Sequence, residues 1–253
     1  MRGEWTRNGV GFVAPEQPLA VGVKAFTTTR SGGVSRPPYA SLNLAEHTGD
    51  DRSAVAENRR LLEVAAELPE PPRWLAQVHG TEVVAAHEQQ QGAQADASWT
   101  DRPGVVCAVL TADCLPVVFA AQDGSSVAVA HAGWRGLCAG VLEETLDAMP
   151  VPAGQIVAWL GPAIGADAFE VGRDVKEAFM NADPASQEFF VPGREGRFYA
   201  DLYSLALLRL KRRNIKDVFG YNWCTFKQRQ LFFSYRRDGA RTGRMATLVC
   251  RES

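Results

Sequence analysis

Residues 105–136 read VVCAVLTADCLPVVFAAQDGSSVAVAHAGWRG, and this stretch decides the fold class. It contains three apolar runs, Val105–Leu110, Leu115–Ala120 and Ser126–Ala130, with the length and residue types of buried strands. No helical segment separates the runs, whereas neighbouring parallel strands need a long crossover connection. A doubly wound parallel sheet is therefore disfavoured, and we predict a mixed sheet flanked by helices.

The rest of the chain alternates short apolar strands with amphipathic helices. The other predicted strands are Val21–Thr28, Trp74–Val78, Ile156–Leu160, Val218–Trp223, Phe232–Tyr235 and Met245–Cys250. The predicted helices are Ser53–Glu67, Leu137–Met149, Arg173–Asn181 and Asp201–Arg213, the first capped by Asp51 or Ser53. Because no repeat and no long linker is present, the pattern predicts one α/β (α+β) domain over residues 1–253.

Composition narrows the class of protein. Hydrophobic residues make up 46% of the 253 residues and charged residues 22%, as in ordinary globular proteins. The apolar runs are too short to cross a bilayer, so no membrane partner is expected. Five widely spaced cysteines, an odd number, favour free thiols and a cytoplasmic location.

A nucleic-acid partner is also not expected. The net charge is −2, and no RRM, KH or helix-turn-helix pattern occurs, although the C-terminal quarter is rich in arginine and lysine. The sequence pattern indicates no particular oligomeric state.

Chemically active residues are concentrated where the central strands end. Thr111-Ala-Asp-Cys-Leu-Pro116 interrupts two buried-strand patterns. A third strand ends at His131, and the turn Ala-Gly-Trp-Arg-Gly136 leads into a helix. Side chains at strand ends are a usual mounting for catalytic groups. The free N–H groups of that helix, together with Arg135, would suit an anion.

His79, Cys114 and His131 are the candidate metal ligands. Two imidazoles and one thiolate match the donors that zinc prefers, and three protein ligands leave a fourth position for water or substrate. Sequence spacing alone does not prove such a site, and two alternatives stay open. Cys114 is either an inert buried thiol or a nucleophile for which His131 acts as the base.

Two arginine- and glycine-rich segments are candidates for contacts with phosphate or ribose. They are Thr27-Thr-Thr-Arg-Ser-Gly-Gly33 and Phe232-Phe-Ser-Tyr-Arg-Arg-Asp-Gly-Ala-Arg-Thr-Gly-Arg244. A solvated basic turn is the alternative for the second segment. Arg59, at the edge of an apolar helix face, is predicted to point into the site beside Asn43 and Asn58. A buried arginine needs a partner, which a substrate oxyanion would supply.

The motifs occur together and in order over nearly the whole chain. They are Thr29-Arg30-Ser-Gly-Gly-Val-Ser35, Ser41-Leu-Asn-Leu44, Gly49-Asp50, Glu57-Asn-Arg59, Gln77-Val-His-Gly80, Ala95-Asp96, Thr111–Pro116, His131–Gly136, Gly161-Pro-Ala-Ile-Gly165, Phe232–Asp238 and Thr242-Gly-Arg-Met-Ala246. In this set the chain resembles the YfiH-like, laccase-domain family of purine nucleoside phosphorylases.

The resemblance implies a layered α/β/β/α fold and a zinc ion on His79, Cys114 and His131. It also implies phosphorolysis of adenosine, inosine and 5′-methylthioadenosine, and deamination of adenosine, with nucleoside and phosphate as small-molecule partners. A cell-wall editing role attached to relatives gives the alternative function, hydrolysis of an amide in a peptidoglycan precursor through Cys114.

The remaining candidate site residues follow from these reactions. For deamination, Asp96 and Asp113 are the candidate proton shuttles beside Cys114, and Asp113 is the more structural of the two. The candidate substrate and phosphate contacts are Arg30, Asn43, Arg59, Gln77, Arg135 and Arg236. One copper ion is an alternative to zinc, but a multicopper centre is not, because the chain has only four histidines.

Overall fold

The computed structural model describes residues 3–252, and the ends of the predicted 1–253 domain, residues 1, 2 and 253, lie outside the described residues. The strands are β1 (Glu4–Arg7), β2 (Val10–Val13), β3 (Val23–Thr28), β4 (Leu75–Ala76), β5 (Val83–Ala85), β6 (Ala93–Gln94), β7 (Ala97–Thr100), β8 (Val106–Thr111), β9 (Leu115–Ala121), β10 (Val127–Ala132), β11 (Ile156–Leu160), β12 (Glu170–Val171), β13 (Phe190–Pro192), β14 (Phe198–Ala200), β15 (Asp217–Gly220) and β16 (Met245–Arg251). The helices are α1 (Arg52–Ala66), α2 (Trp134–Ala139), α3 (Val141–Ala148), α4 (Arg173–Ala182), α5 (Leu202–Arg212) and α6 (Tyr235–Asp238).

Two large sheets form the centre of the fold. The first has the order β1-β2-β3-β16-β8 and is antiparallel throughout. The second has the order β15-β11-β9-β10-β7-β5 and is mixed, because β15 runs parallel to β11 and β5 parallel to β7. Since β8 belongs to one sheet and β9 to the other, the turn between them at residues 112–114 crosses from sheet to sheet. The predicted mixed sheet is confirmed.

The two sheets pack face to face between layers of helices. Val109 and Val249 of the first sheet share an apolar cluster with Val118 and Trp159 of the second. Helix α1 covers the outer face of the first sheet, where its Leu62 lies in a second apolar cluster with Phe26 and Leu248 of that sheet. Helices α2 to α5 contribute to the cluster on the outer face of the second sheet. Strands β9 and β10 are buried along their whole length, as expected when both faces are covered. The α/β/β/α layering is confirmed.

The predicted strand Phe232–Tyr235 is wrong. Phe232 and Phe233 are buried in a loop, where their rings pack in a cluster with Trp223 and Met245. Helix α6 follows, and the Ser234 side chain caps it by accepting from the Arg237 N–H. The apolar run therefore reflects burial of a loop and not strand pairing.

Glycine and local backbone conformation also move three other boundaries. The predicted helix Leu137–Met149 begins earlier, at Trp134, and divides at Gly140, where φ is 110°. Strand β15 ends at Gly220 because Gly220 and Tyr221 adopt positive φ. Of the predicted strand Trp74–Val78, only β4 pairs. Among residues 3–252, no helix combines the length and the apolar character that a membrane span requires.

Candidate metal centre

The three predicted ligands meet at one end of the central strands β9 and β10 of the second sheet. His131 lies near the end of β10, and Cys114 directly precedes β9, with which β10 pairs so that His131 is opposite Pro116. His79 lies in the loop after β4. The ligand atoms of these residues all lie within 4.8 Å of one another. His131 is buried, Cys114 half-buried and His79 exposed, so the cluster is open to solvent on the side of His79.

Asp96 holds two of the ligands in place. Its carboxylate accepts a hydrogen bond from His131 Nδ1 at 2.7 Å, which leaves Nε2 of His131 available to a metal ion. The same carboxylate accepts the backbone N–H groups of Val78, His79 and Gly80 at 3.1, 3.0 and 2.7 Å. His79 has φ of 62°, and these contacts fix its turn. A carboxylate behind a ligating histidine orients the ring. The structure thus gives Asp96 a supporting place behind two ligands, and its role as a proton shuttle stays a prediction.

Asp113 anchors the other side of the site. It is buried with φ of 91°, and its carboxylate accepts from Thr225 Oγ1 at 2.6 Å, Ser234 Oγ at 3.0 Å and the Arg236 N–H at 2.7 Å. These bonds tie the turn before Cys114 to the start of α6. The oxygens are occupied by protein donors, which agrees with the structural interpretation of Asp113 and disfavours a shuttle.

Gly133 keeps open the space that an ion needs. A Cβ atom at this position would lie 3.0 Å from His79 Cδ2, 3.1 Å from Cys114 Sγ and 3.6 Å from His131 Cε1. No side chain fits there without displacing two ligands. The donor set, its open side and this cradle fit zinc with three protein ligands, and they also fit one copper ion.

Electrostatics favour the thiolate that metal binding requires. Burial alone would raise the pKa of the Cys114 thiol, but His131 and His79 outweigh it and lower this pKa to about 6. Burial alone would lower the pKa of His131, but Cys114 and Asp96 outweigh it and raise this pKa to about 9. The thiolate is the form that binds a metal ion, and metal binding would displace the proton that the raised pKa keeps on His131.

A small aromatic cavity opens beside Cys114. It has a volume of about 120 Å³ and is lined by Asp113, Cys114, Trp134, Ile164, Phe169, Leu202, Tyr235 and Arg236. The Arg236 guanidinium lies 5.4 Å from the ring centre of Phe169 and donates to the Glu170 carbonyl. Arg135 is exposed and lies over Trp134 at 4.5 Å. Arg236 therefore lines this cavity, and Arg135 lies against Trp134, one of its walls. A larger cavity, about 600 Å³ beside Tyr221, is lined by none of the three ligands.

The predicted cluster of Asn43, Asn58 and Arg59 does not form the site. Asn58 is fully buried, and its amide bonds to the Asn43 carbonyl at 2.8 Å and to the loop around it. Arg59 donates to the Leu44 carbonyl at 3.0 Å, pairs with Glu46 and stacks on a tryptophan. Its partners are protein groups, so the burial of Arg59 does not by itself require a substrate oxyanion.

Arg30 and Gln77 are likewise bound to the protein. Arg30 donates twice to the Ala40 carbonyl, at 3.1 and 2.9 Å, and once to the Arg229 carbonyl at 3.2 Å. Gln77 exchanges two hydrogen bonds with the backbone of Leu110, at 2.9 and 2.7 Å. This pair anchors the loop of His79 to the end of β8, so Gln77 supports the site from behind.

One cation of the site was not singled out from the sequence. The charge of Arg244 interacts with Cys114 and with Asp113, and its guanidinium lies 5.8 Å from the ring centre of Tyr235. The arginine-rich segment that ends at Arg244 was recognised, but the pairing of β16 with β8 is what brings this one arginine to the cluster.

Comparisons with known proteins identify the family and the fold of the chain. Residues 24–252 match the family model described as multi-copper polyphenol oxidoreductase laccase. The chain is 50% identical over 239 residues to purine nucleoside phosphorylase YfiH of Escherichia coli K12, covering 94% of this chain and 98% of the relative. It is equally similar to purine nucleoside phosphorylase PA4543 of Pseudomonas aeruginosa, with 94% and 97% covered. The crystal structure of Neisseria meningitidis protein NMB0706 superposes with a TM-score of 0.92 at 50% identity, covering 96% of this chain and 99% of that one.

Proposed function

The chain belongs to the family described as multi-copper polyphenol oxidoreductase laccase, and we propose that within it this protein is a zinc-dependent purine nucleoside phosphorylase. The observation that carries the proposal is the cluster of His79, Cys114 and His131, open on one side next to an aromatic cavity. The name purine nucleoside phosphorylase on relatives at 50% identity supports it.

The proposed substrates are phosphate together with adenosine, inosine or 5′-methylthioadenosine, and deamination of adenosine is the proposed second activity. Trp134, Phe169 and Tyr235 give the cavity flat apolar walls that suit a purine ring. At about 120 Å³ the cavity is smaller than the range of about 300–1,000 Å³ usual for whole ligands. It therefore has room for the base, and the ribose extends toward solvent.

The chain's own residues prepare the chemistry by orientation. A bound metal ion would act as a Lewis acid that polarises an oxygen or nitrogen of the substrate and lowers the pKa of water. Asp96 fixes the tautomer of His131 and, through backbone N–H groups, the turn of His79. The aromatic walls hold the base and exclude water. Arginines near the cavity neutralise the negative charge of phosphate and hold it next to the ribose.

The experiment is product analysis with zinc-replete protein. Adenosine with phosphate should give adenine and ribose 1-phosphate, and adenosine without phosphate should give inosine. Because residues 3–252 offer one set of three zinc ligands, we expect about one zinc ion per chain. A double variant, His79→Ala with Cys114→Ala, should lose both zinc and activity, whereas Cys138→Ala, a half-buried thiol outside the ligand set, serves as the matched control. Stoichiometric zinc in the double variant contradicts the proposed ligands.

A second candidate function rests on one specific contact. The same residues are also arranged as a catalytic triad, in which Cys114 is the nucleophile, His131 the base and Asp96 the carboxylate that orients the base. Asp96 binds His131 Nδ1 at 2.7 Å. We keep hydrolysis of an amide in a peptidoglycan precursor as the alternative. Cleavage of such an amide that survives removal of metal by a chelator, with no turnover of nucleosides, would select it.

A further inference from the structure

Arg244 lies beside the metal ligands because of strand pairing. Met245, the next residue, is opposite Thr111 at the end of β8, so Arg244 faces the turn that ends at Cys114. The charge of Arg244 interacts with both Cys114 and Asp113 of that turn. Its guanidinium lies over Tyr235, an exposed residue that lines the cavity next to Cys114. A cation is thus fixed at the mouth of the site.

The guanidinium of Arg244 has N–H groups that donate to no protein acceptor in the described part of the chain. Nη1 donates to the carbonyls of Thr242 and Gly243 at 2.7 and 3.0 Å. Within residues 3–252, Nε and Nη2 have no hydrogen-bond partner, and no carboxylate pairs with this side chain. A half-buried charged group with unused donors favours a ligand of opposite charge.

Three of the other arginines near the site differ in this respect, whereas Arg236 at the cavity likewise donates through Nη1 alone, to the Glu170 carbonyl. Arg30 and Arg59 each donate through more than one nitrogen to protein groups. Arg237 donates through three nitrogens to backbone carbonyls and to Asp238. Arg244 combines proximity to Cys114 with free nitrogens.

The backbone of Arg244 is clamped by a buried asparagine. Oδ1 of Asn43 accepts the Arg244 N–H at 3.0 Å, and the N–H of Leu44 donates to the Arg244 carbonyl at 3.4 Å. Nδ2 of Asn43 in turn donates to Thr48 Oγ1 at 3.0 Å and to Asp50 at 2.9 Å. All polar atoms of this asparagine side chain are therefore spent on holding two segments together.

We propose that Arg244 binds the phosphate co-substrate through Nε and Nη2, and that Asn43 acts as its positioning residue. The inference rests on the proposed phosphorolysis. A planar guanidinium presents paired N–H groups that match two phosphate oxygens. Asn43, predicted as a substrate contact, then acts on phosphate only through the backbone that carries Arg244.

The test compares Arg244→Gln and Arg244→Lys with the matched control Arg241→Gln, an exposed arginine of the same loop. Two quantities are measured on zinc-loaded protein: the KM for phosphate in phosphorolysis, and the Kd of inorganic phosphate by titration calorimetry. Loss of a charged hydrogen-bond pair should raise both about 10- to 100-fold. The lysine variant should recover part of the loss, and the control should match the wild type.

Two readouts separate this role from a structural one. Zinc content and Tm of Arg244→Gln should stay close to those of the wild type. Asn43→Ala should raise the KM for phosphate more than it lowers kcat, whereas a purely structural asparagine would lower Tm and leave that KM unchanged. If Arg244→Gln does not fold, Arg244→Lys carries the same comparison with a charge retained.

The outcomes distinguish this inference from the proposed function. Unchanged KM and Kd for phosphate in both Arg244 variants would overturn the inference while phosphorolysis stands. If wild-type protein turns over no nucleoside yet binds phosphate in a manner that depends on Arg244, the proposed function fails and the anion site stands. A wild-type protein that binds no phosphate overturns the inference directly.

Discussion

Substitution of Gly133 by alanine tests the metal centre with a single methyl group. The added Cβ would lie 3.0 Å from His79 Cδ2 and 3.1 Å from Cys114 Sγ, against an optimal separation of about 3.5–4.0 Å for carbon atoms. Without metal, the two side chains can move aside by a few tenths of an ångström. With metal they cannot, because ligand distances are fixed to within about 0.2 Å. The strain therefore falls on the metal-bound form.

Overpacking of this kind costs about 1–3 kcal/mol, so the Kd for zinc should rise roughly 10- to 100-fold at about 1.4 kcal/mol per factor of ten. The backbone of Gly133 has φ of −61° and ψ of 157°, which alanine adopts freely, so the metal-free protein should keep nearly its wild-type Tm. The assay is competition for zinc against a chelating dye. Gly154→Ala is the control, since a Cβ there meets nothing within 4 Å. Equal zinc affinity in Gly133→Ala and wild type would show that metal binding does not depend on the space that Gly133 leaves beside the ligands.

Three further perturbations probe the supports of the site. Asp96→Asn should weaken zinc binding about 10- to 100-fold in the same competition assay, because the ring of a ligating histidine loses its orienting carboxylate. Asp113→Asn should lower the free energy of unfolding by about 1–3 kcal/mol in urea titrations, since an amide cannot accept every donor that the carboxylate serves; an unchanged midpoint would contradict this. Iodoacetamide should label Cys114 after metal removal and not in zinc-loaded protein, while buried Cys107 and Cys250 stay unlabelled in both. Peptide mass spectrometry reads the labelling, and equal labelling of Cys114 in both forms speaks against its place on the metal.

The pairing of Cys114 with His131 was within reach of sequence reasoning. Two buried runs joined by a short polar turn predict an antiparallel hairpin, and in that hairpin His131 faces Pro116, two residues after Cys114. His79 was not predictable in this way, because it arrives on a loop whose position depends on distant contacts. Asp96 and Gln77 hold that loop through bonds to its backbone and to β8. Donor type made His79 a candidate ligand, and only the family resemblance implied that it meets the other two.

Failures of the sequence interpretation have a common physical origin. A polar residue on an apolar face signals a partner but does not say which one. Arg59 finds its partners in the Leu44 carbonyl and Glu46, and Asn43 in backbone groups and Asp50. Carbonyl and carboxylate groups of the protein itself accept the hydrogen bonds that a substrate was expected to accept. Short strands such as β6 and β12 were missed because two residues carry no periodicity.

The description of the family as an oxidase raises a question that the donor set alone does not answer. Two histidines and one cysteine are also the equatorial ligands of blue-copper centres, where a weak axial ligand, often methionine, completes a site for electron transfer. In this chain the methionine beside Arg244, Met245, has its sulfur engaged by the Phe233 N–H at 3.1 Å in another cluster. Within residues 3–252, His79, Cys114 and His131 are the one group of possible ligands found.

The fourth position of the centre decides its chemistry. It opens to solvent beside exposed His79, and Gly133 keeps the space next to the ligands clear of any side chain. A metal ion that only transfers electrons can be fully surrounded by protein ligands. A metal ion that acts as a Lewis acid needs a coordination position that the substrate can reach. An aromatic cavity on one side and the free nitrogens of Arg244 on the other supply what a base and an anion require. The open side of the ligand cluster therefore supports the proposed group transfer on a nucleoside over oxidation of a phenol.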